Sequence, residues 1–145
     1  MTEVAFHFNT PDKLRYACRL LRKAVAKGSK VVVTGEAELL RDLDAALWTF
    51  APLEFIAHCQ QAGSAPAVLA ASPVVLADAP RAAPHQQVLV NLGRQVPDGF
   101  ERFERLIEVV TVDEADRLQA RQRWKHYAER GYAITRHDRA GEAQQ

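Results

Sequence analysis

The stretch Lys30-Val31-Val32-Val33-Thr34 carries four consecutive β-branched residues. Such side chains favour extended backbone, and a run without polar alternation is typical of a strand covered on both faces. Strands of this kind belong to parallel sheets, because helices pack against both sides of those sheets. Gly35 follows the run and turns the chain away from it. The run therefore predicts an α/β fold with a mainly parallel sheet.

Extended and helical patterns alternate on both sides of this run, which predicts one three-layer domain over residues 1–136 with helices flanking the sheet. Asn9 or Thr10 is the predicted cap of the first helix, and Gly28 its end. Residues 137–145 are polar and are predicted to form a disordered tail. Strands are predicted over 3–8, 30–34, 74–77, 87–91 and 108–112, with a short extended piece at 55–57; helices over 11–27, 36–48, 100–107 and 113–130; and loops over 59–73 and 78–85.

Composition limits the possible function classes. The chain has 145 residues, of which 48% are hydrophobic and 26% charged, with a formal net charge of +1. A near-neutral chain does not bind nucleic acid through its whole surface, so such binding would need a local patch or a partner. No secretory signal and no apolar run of about 18 residues is present, which predicts a cytoplasmic protein with free thiols at Cys18 and Cys59. Cys18 is expected in the core.

The usual enzyme motifs are missing from the sequence. The turn at residues 9–12 has no glycine, and Thr34-Gly35-Glu36 has one glycine beside a carboxylate that would repel phosphate. The fold is therefore expected to be Rossmann-like without a nucleotide fingerprint, and no cofactor is predicted. His58-Cys59 lacks a second spaced pair, so no metal site is predicted. An enzyme that uses a cleft at the carboxyl edge of the sheet stays a third hypothesis.

The helix predicted over 113–130 carries the strongest functional signal. Arg117, Arg121, Trp124 and Lys125 stand at i, i+4, i+7 and i+8, which places them on one helix face. Leu118 is the one large aliphatic residue of the segment. Two interpretations are open: a solvated charged helix with Trp124 in the core, or a basic face with an aromatic floor for an acidic peptide or a terminal carboxylate. A groove for single-stranded nucleic acid would use the same residue types.

Several segments, in this order along the chain, resemble the family of the chi subunit of bacterial DNA polymerase III. The resemblance spans nearly the whole chain except the tail, and residues 60–73 fit it loosely. The segments are Val4-Ala5-Phe6-His7-Phe8, Leu43-Asp44-Ala45-Ala46-Leu47-Trp48, Phe55-Ile56-Ala57-His58, the stretch 88–112 with Phe100-Glu101-Arg102-Phe103, and Arg121-Gln122-Arg123-Trp124-Lys125-His126-Tyr127 followed by Gly131-Tyr132.

The resemblance implies a non-catalytic replication adaptor of the clamp-loader complex that contacts DNA only indirectly. It would bind the acidic C-terminal tail of the single-stranded-DNA-binding protein and, where one exists, the psi subunit. By motif position, the site for the tail comprises Arg117, Arg121, Trp124, Lys125 and Val110. The site for psi would involve Trp48 and Phe55, although these aromatic residues could instead close the core. Direct binding of single-stranded nucleic acid is the alternative function.

Overall fold

The computed structural model describes residues 1–49 and 57–140. Within them, seven strands form one parallel sheet in the order β3-β4-β2-β5-β6-β1-β7. The strands are β1 (Glu3–Thr10), β2 (Val31–Thr34), β3 (His58–Gln60), β4 (Val74–Leu76), β5 (Val88–Asn91), β6 (Arg105–Thr111) and β7 (Ile134–Asp138). The helices are α1 (Lys13–Ala26), α2 (Ala37–Thr49), α3 (Pro66–Ala71) and α4 (Glu114–Glu129), with one-turn 3₁₀ helices at Pro80–Ala82 and Phe100–Arg102.

Helices cover both faces of the sheet, which confirms the predicted three-layer α/β architecture. Side chains of β2 alternate between two apolar clusters: Val31 and Val33 pack with α1 and α2, whereas Val32 packs with α4. All three valines are at most 1% exposed. Leu69 of α3 packs against the same cluster as α4, so the helices lie two on each face.

The start of α1 differs from its prediction, and its end does not. Asp12, not Asn9 or Thr10, caps the helix: its Oδ1 accepts hydrogen bonds from the backbone N–H groups of Leu14 and Arg15 at 2.9 and 3.2 Å. Thr10 is unable to cap because β1 extends through it, and its hydroxyl donates to the Val110 carbonyl at 3.0 Å. Gly28, with φ of +78°, follows the helix as predicted.

Two further predictions of secondary structure were wrong. The predicted loop over 59–73 contains the end of β3 and all of α3, in which Pro66 occupies the first turn. The predicted helix over 100–107 is limited to one 3₁₀ turn, and β6 already begins at Arg105. Leu106 and Ile107 point into opposite apolar clusters, as neighbours in a strand do. Of the extended piece predicted at 55–57, residues 55 and 56 lie outside the described part of the chain.

Strand β7 was not predicted. It pairs in parallel with β1, from Val4 opposite Ile134 to Phe8 opposite Asp138, and forms one border of the sheet. It therefore includes two residues of the segment that was assigned to a disordered tail. Residues 141–145 lie outside the described part of the chain, and the boundary at residue 136 stays a prediction.

Candidate functional site

The orientation of α4 decides which of its side chains are available for binding. Asp113 caps the helix by accepting a hydrogen bond from the Asp116 N–H at 3.1 Å. The helix buries Ala120, Arg123 and Tyr127 against the sheet. Its exposed residues include Arg117, Arg121 and Lys125, together with Leu118. An arginine and a tyrosine thus supply much of the packing face of a helix that has few aliphatic residues.

A buried polar network holds α4 against β6. The Glu108 carboxylate and the Arg123 side chain are 0% and 2% exposed, and Arg123 Nε donates to Glu108 Oε1 at 3.0 Å. Tyr127 OH donates to Oε2 at 2.6 Å, and Asn91 Nδ2 donates to both carboxylate oxygens at 3.0 and 3.1 Å. Arg123 also donates to the Arg94 carbonyl at 2.9 Å. Every described contact of this carboxylate is with a donor, which is the arrangement that an ionised group requires.

Burial and charge act in opposite directions on the groups of this network. Burial raises the pKa of Glu108, and the Arg123 guanidinium with the Tyr127 and Asn91 donors opposes that rise. Burial and the neighbouring Glu108 carboxylate raise the pKa of Tyr127, which therefore stays a hydrogen-bond donor. Arg123 therefore belongs to the buried face of α4, and its pairing with Glu108 was not predicted from the sequence. A carboxylate inside an apolar strand was the available signal, because it requires a buried donor.

A groove runs between α4 and the strands β6, β1 and β7, with a volume of about 430 Å³. Its floor is apolar: Val110 is 3% exposed, and the Phe6 and Trp124 ring centroids are 4.9 Å apart. Arg117 and Arg121 line it from the helix. Together, the residues that line this α4 groove are Phe6, Phe8, Asn9, Val110, Thr111, Arg117, Ala120, Arg121, Trp124 and Arg136. Four of the five residues predicted for the tail site are therefore brought together.

Arg136 lines the α4 groove and was not predicted from the sequence. It lies on β7, and its guanidinium carbon is 5.2 Å from the centroid of the Phe8 ring and 5.8 Å from that of Trp124. These distances are typical of cation–π contacts, which keep the guanidinium over the aromatic floor. The groove thus receives positive charge from both of its walls. No signal in the sequence identified Arg136, because β7 itself was not predicted.

A second polar network fixes the first turn of α4 beside the groove. The Asp116 carboxylate accepts hydrogen bonds from the Thr111 N–H at 2.8 Å and from Lys13 Nζ at 3.0 Å. Lys13 also donates to the Leu92 carbonyl at 3.0 Å. Burial alone would raise the pKa of Asp116, but the Thr111 and Lys13 donors lower it below its usual value. α1 and α4 are therefore connected to the end of β6 and to the residue that follows β5, next to Arg117.

Lys125 does not line the α4 groove. Its side chain is 75% exposed, and its Nζ lies 3.8 Å from Glu129 on the next turn. At 3.6 residues per turn, a residue eight positions after Arg117 is rotated from it by about 80°, whereas Trp124 is rotated by only about 20°. This rotation places Lys125 beside the groove rather than in it.

The other predicted surface is partly described. Trp48, at the end of α2, is 59% exposed, and its ring centroid lies 5.0 Å from that of His58. His58 Nε2 lies 3.0 Å from Asp44 Oδ1, and the His58 side chain is buried. Phe55 lies outside the described residues.

Clusters of metal-binding side chains and long apolar helices are both absent from the part of the chain that the structure describes. There, no cluster of three or more His, Cys, Asp or Glu side chains is arranged to hold a metal ion. None of the helices in residues 1–49 and 57–140 combines the length and apolar character that crossing a bilayer demands.

Comparison with known proteins gives a consistent result. A family model described as "DNA polymerase III chi subunit, HolC" matches residues 1–135. The DNA polymerase III subunit chi of Pseudomonas aeruginosa is 32% identical over 142 residues, which cover 94% of this chain and 96% of that protein. The DNA polymerase III subunit chi of Haemophilus influenzae is 29% identical over 121 residues, which cover 82% of each chain.

Proposed function

The chain belongs to the DNA polymerase III chi subunit family, whose members are replication accessory subunits, and on this premise we propose which contacts it makes. It binds the acidic C-terminal tail of the single-stranded-DNA-binding protein and links that protein to the clamp loader through the psi subunit. It acts in the cytoplasm as an adaptor, without catalysis of its own. The family resemblance supplies these partners, and the α4 groove is the observation that carries the proposal.

The chemistry of the α4 groove suits a peptide that ends in an apolar residue after several acidic ones. Arg117, Arg121 and Arg136 supply forked donors for carboxylates, including the terminal one. Trp124 and Val110 form an apolar floor on which the last side chain would pack. Lys125, beside the groove, adds attraction at longer range, which salt screens.

The exposed face of Trp48 suits a second protein partner. Trp48 is 59% exposed, and exposing so much apolar surface to water is unfavourable in free energy. Buried aromatic side chains contribute much of the binding energy of protein interfaces. We assign the psi subunit to this surface, with Phe55 as its second anchor. The contact of Trp48 with His58, which Asp44 holds, would limit the entropy that the ring loses on binding.

Calorimetric titration with a peptide copying the acidic, phenylalanine-ended tail would test the tail site. Arg121→Ala and Arg136→Ala should each weaken binding roughly tenfold or more, since a hydrogen bond to a charged group contributes about 1.5–3 kcal/mol. Lys125→Ala should weaken it less. Arg130→Ala is the matched control, because Arg130 directly follows the same helix and lies outside the groove. It should bind like the parent protein.

The same titration separates the adaptor from a nucleic-acid binder at this groove. A peptide that lacks the terminal phenylalanine should bind poorly to the adaptor, because the apolar floor then has no ligand. Unimpaired binding of the intact peptide by the Arg121→Ala, Arg136→Ala double variant would refute the site. Absence of binding at low salt by the folded protein would refute tail docking and favour direct binding of nucleic acid.

A further inference from the structure

A second groove lies on the opposite face of the sheet, between α1 and the outer strands β1 and β7. Its volume of about 840 Å³ is roughly twice that of the α4 groove. Lining residues of α1 and its C-cap extend from Tyr16 to Lys27, which corresponds to a length of about 17 Å at 1.5 Å per residue. The strands contribute small and apolar side chains to its floor, among them Ala5 and Ile107.

Positive charge is concentrated in this α1 groove. One acidic side chain lies among its described lining residues, that of Glu3, and a carboxylate oxygen of Glu3 is 3.8 Å from Arg105. The whole chain has a formal net charge of only +1, so this concentration is local and not a property of the entire surface. The six cationic residues that line the groove are Arg19, Arg22, Lys23, Lys27, Arg105 and Arg139.

His7 lies at the floor of the α1 groove, close to several of these cations. It is 6% exposed and hydrogen-bonded to the Tyr16 hydroxyl. Burial, and after it the charges of Arg139, His137 and Arg105, lower its pKa to about 3. His7 is therefore neutral near pH 7, and its ring lies 4.8 Å from that of His137. The floor of the groove thus combines the neutral His7 ring and aliphatic carbon with walls that carry cations.

We infer that the α1 groove binds the phosphate backbone of single-stranded nucleic acid. The cations recur along α1 at three- and four-residue spacing, so they form a row instead of a single pocket. From Arg19 to Lys27 this row is about 12 Å long at 1.5 Å per residue, which matches on the order of four phosphates spaced about 3.4 Å apart. A lone carboxylate would need only one or two of these cations. Bases would lie against the apolar floor, as in other grooves that bind single strands without reading their sequence.

This site is separate from the α4 groove. The two share none of their lining residues, because β7 directs alternate side chains to opposite faces of the sheet. Arg136 lines the α4 groove, whereas Thr135 and His137 line the α1 groove. A nucleic-acid strand and the tail peptide could therefore be bound at the same time. Loss of binding at one groove would not imply loss of binding at the other.

Fluorescence anisotropy with a labelled 20-nucleotide oligo(dT) at 50 mM and 200 mM salt tests the inference. Arg22→Gln with Lys23→Gln should weaken binding roughly tenfold or more at 50 mM salt, and the slope of log K against log salt should become shallower by about 1.4. The matched control is Arg41→Gln with Arg130→Gln, which removes the same charge from exposed positions outside both grooves. It should change the affinity by less than twofold.

Four results would overturn the inference in a protein whose circular dichroism shows it to be folded. The first is no binding of oligo(dT) at 50 mM salt, and the second is unchanged binding by the double variant Arg22→Gln, Lys23→Gln. The third is an equal loss of affinity in the control variant Arg41→Gln, Arg130→Gln. The fourth is binding of a poly-glutamate peptide that is as tight as that of oligo(dT). The last result would assign the groove to acidic peptides. Tail-peptide titration of the Arg22→Gln, Lys23→Gln variant should match the parent protein, which tests the two sites separately.

Discussion

Replacing Arg123 by methionine should lower the free energy of unfolding by about 3–5 kcal/mol. Methionine keeps most of the apolar stem and removes the guanidinium, so the Glu108 carboxylate, which is 0% exposed, loses its cation. Two charges about 4 Å apart attract each other by about 4 kcal/mol at an effective dielectric constant of 20, which agrees with that range. In a domain of this length, each kcal/mol shifts the midpoint of thermal unfolding by about 2–4 °C. The expected decrease is therefore roughly 6–20 °C.

Urea denaturation followed by circular dichroism measures this free energy directly. Lys125→Met is the control, since it removes a cation from the same helix at a site that is 75% exposed. It should change the stability by less than about 0.5 kcal/mol. The double variant Glu108→Gln, Arg123→Met should lose less than Arg123→Met alone, because no unpaired buried charge remains in it.

Two results would refute the argument. A loss below about 1 kcal/mol for Arg123→Met would mean that water reaches the Glu108 carboxylate and that α4 is not packed as described. Equal losses in the single and double variants would mean that the two charges are not coupled, although their atoms lie 3.0 Å apart.

Three other predictions concern single groups. The imidazole of His7 should titrate near pH 3 by NMR, and a midpoint near pH 6.5 would contradict this. Because the same imidazole takes up its proton near pH 6.5 in the unfolded chain, the free energy of unfolding should decrease as the pH drops from 6.5 to about 3. Gly99→Ala should lower the free energy of unfolding by about 1–3 kcal/mol, because Gly99 has φ of +86° and a Cβ there would lie 2.8 Å from the Cβ of Arg81. An unchanged midpoint of urea denaturation would show that this turn adjusts freely. A thiol reagent at pH 8 should modify Cys59 before Cys18, because burial raises the pKa of the Cys18 thiol to about 11. Mass spectrometry that finds Cys18 labelled first would contradict this order.

Local sequence patterns predicted the parts of the fold that local patterns control. The valine run of β2 indicated burial on both faces, and the helix predicted over 113–130 agrees closely with α4 and its cap Asp113. The three-residue β3 and the six-residue α3 were missed, because elements this short contain too few side chains to show a period.

The candidate site could be predicted only as far as one helix and its preceding strand define it. Arg117, Arg121 and Trp124 share a helix face by simple periodicity, and the structure brings Val110 beside them. Arg136 comes from a strand whose place in the sheet depends on tertiary pairing with β1, which no local pattern encodes. The Glu108–Arg123 pair likewise joins residues that are 15 positions apart.

The composition of β7 has a consequence for solubility. The strand lies at the border of the sheet, and in the described residues no further strand pairs with its outer side. An unpaired strand edge is a template for aggregation, and polar or charged side chains are the usual protection against it. Of its five residues, only Ile134 is aliphatic, and Thr135, Arg136, His137 and Asp138 follow. Each side chain that β7 presents to a groove therefore also protects the sheet from pairing with another molecule, so apolar substitutions there would favour assembly into aggregates even where no ligand is present.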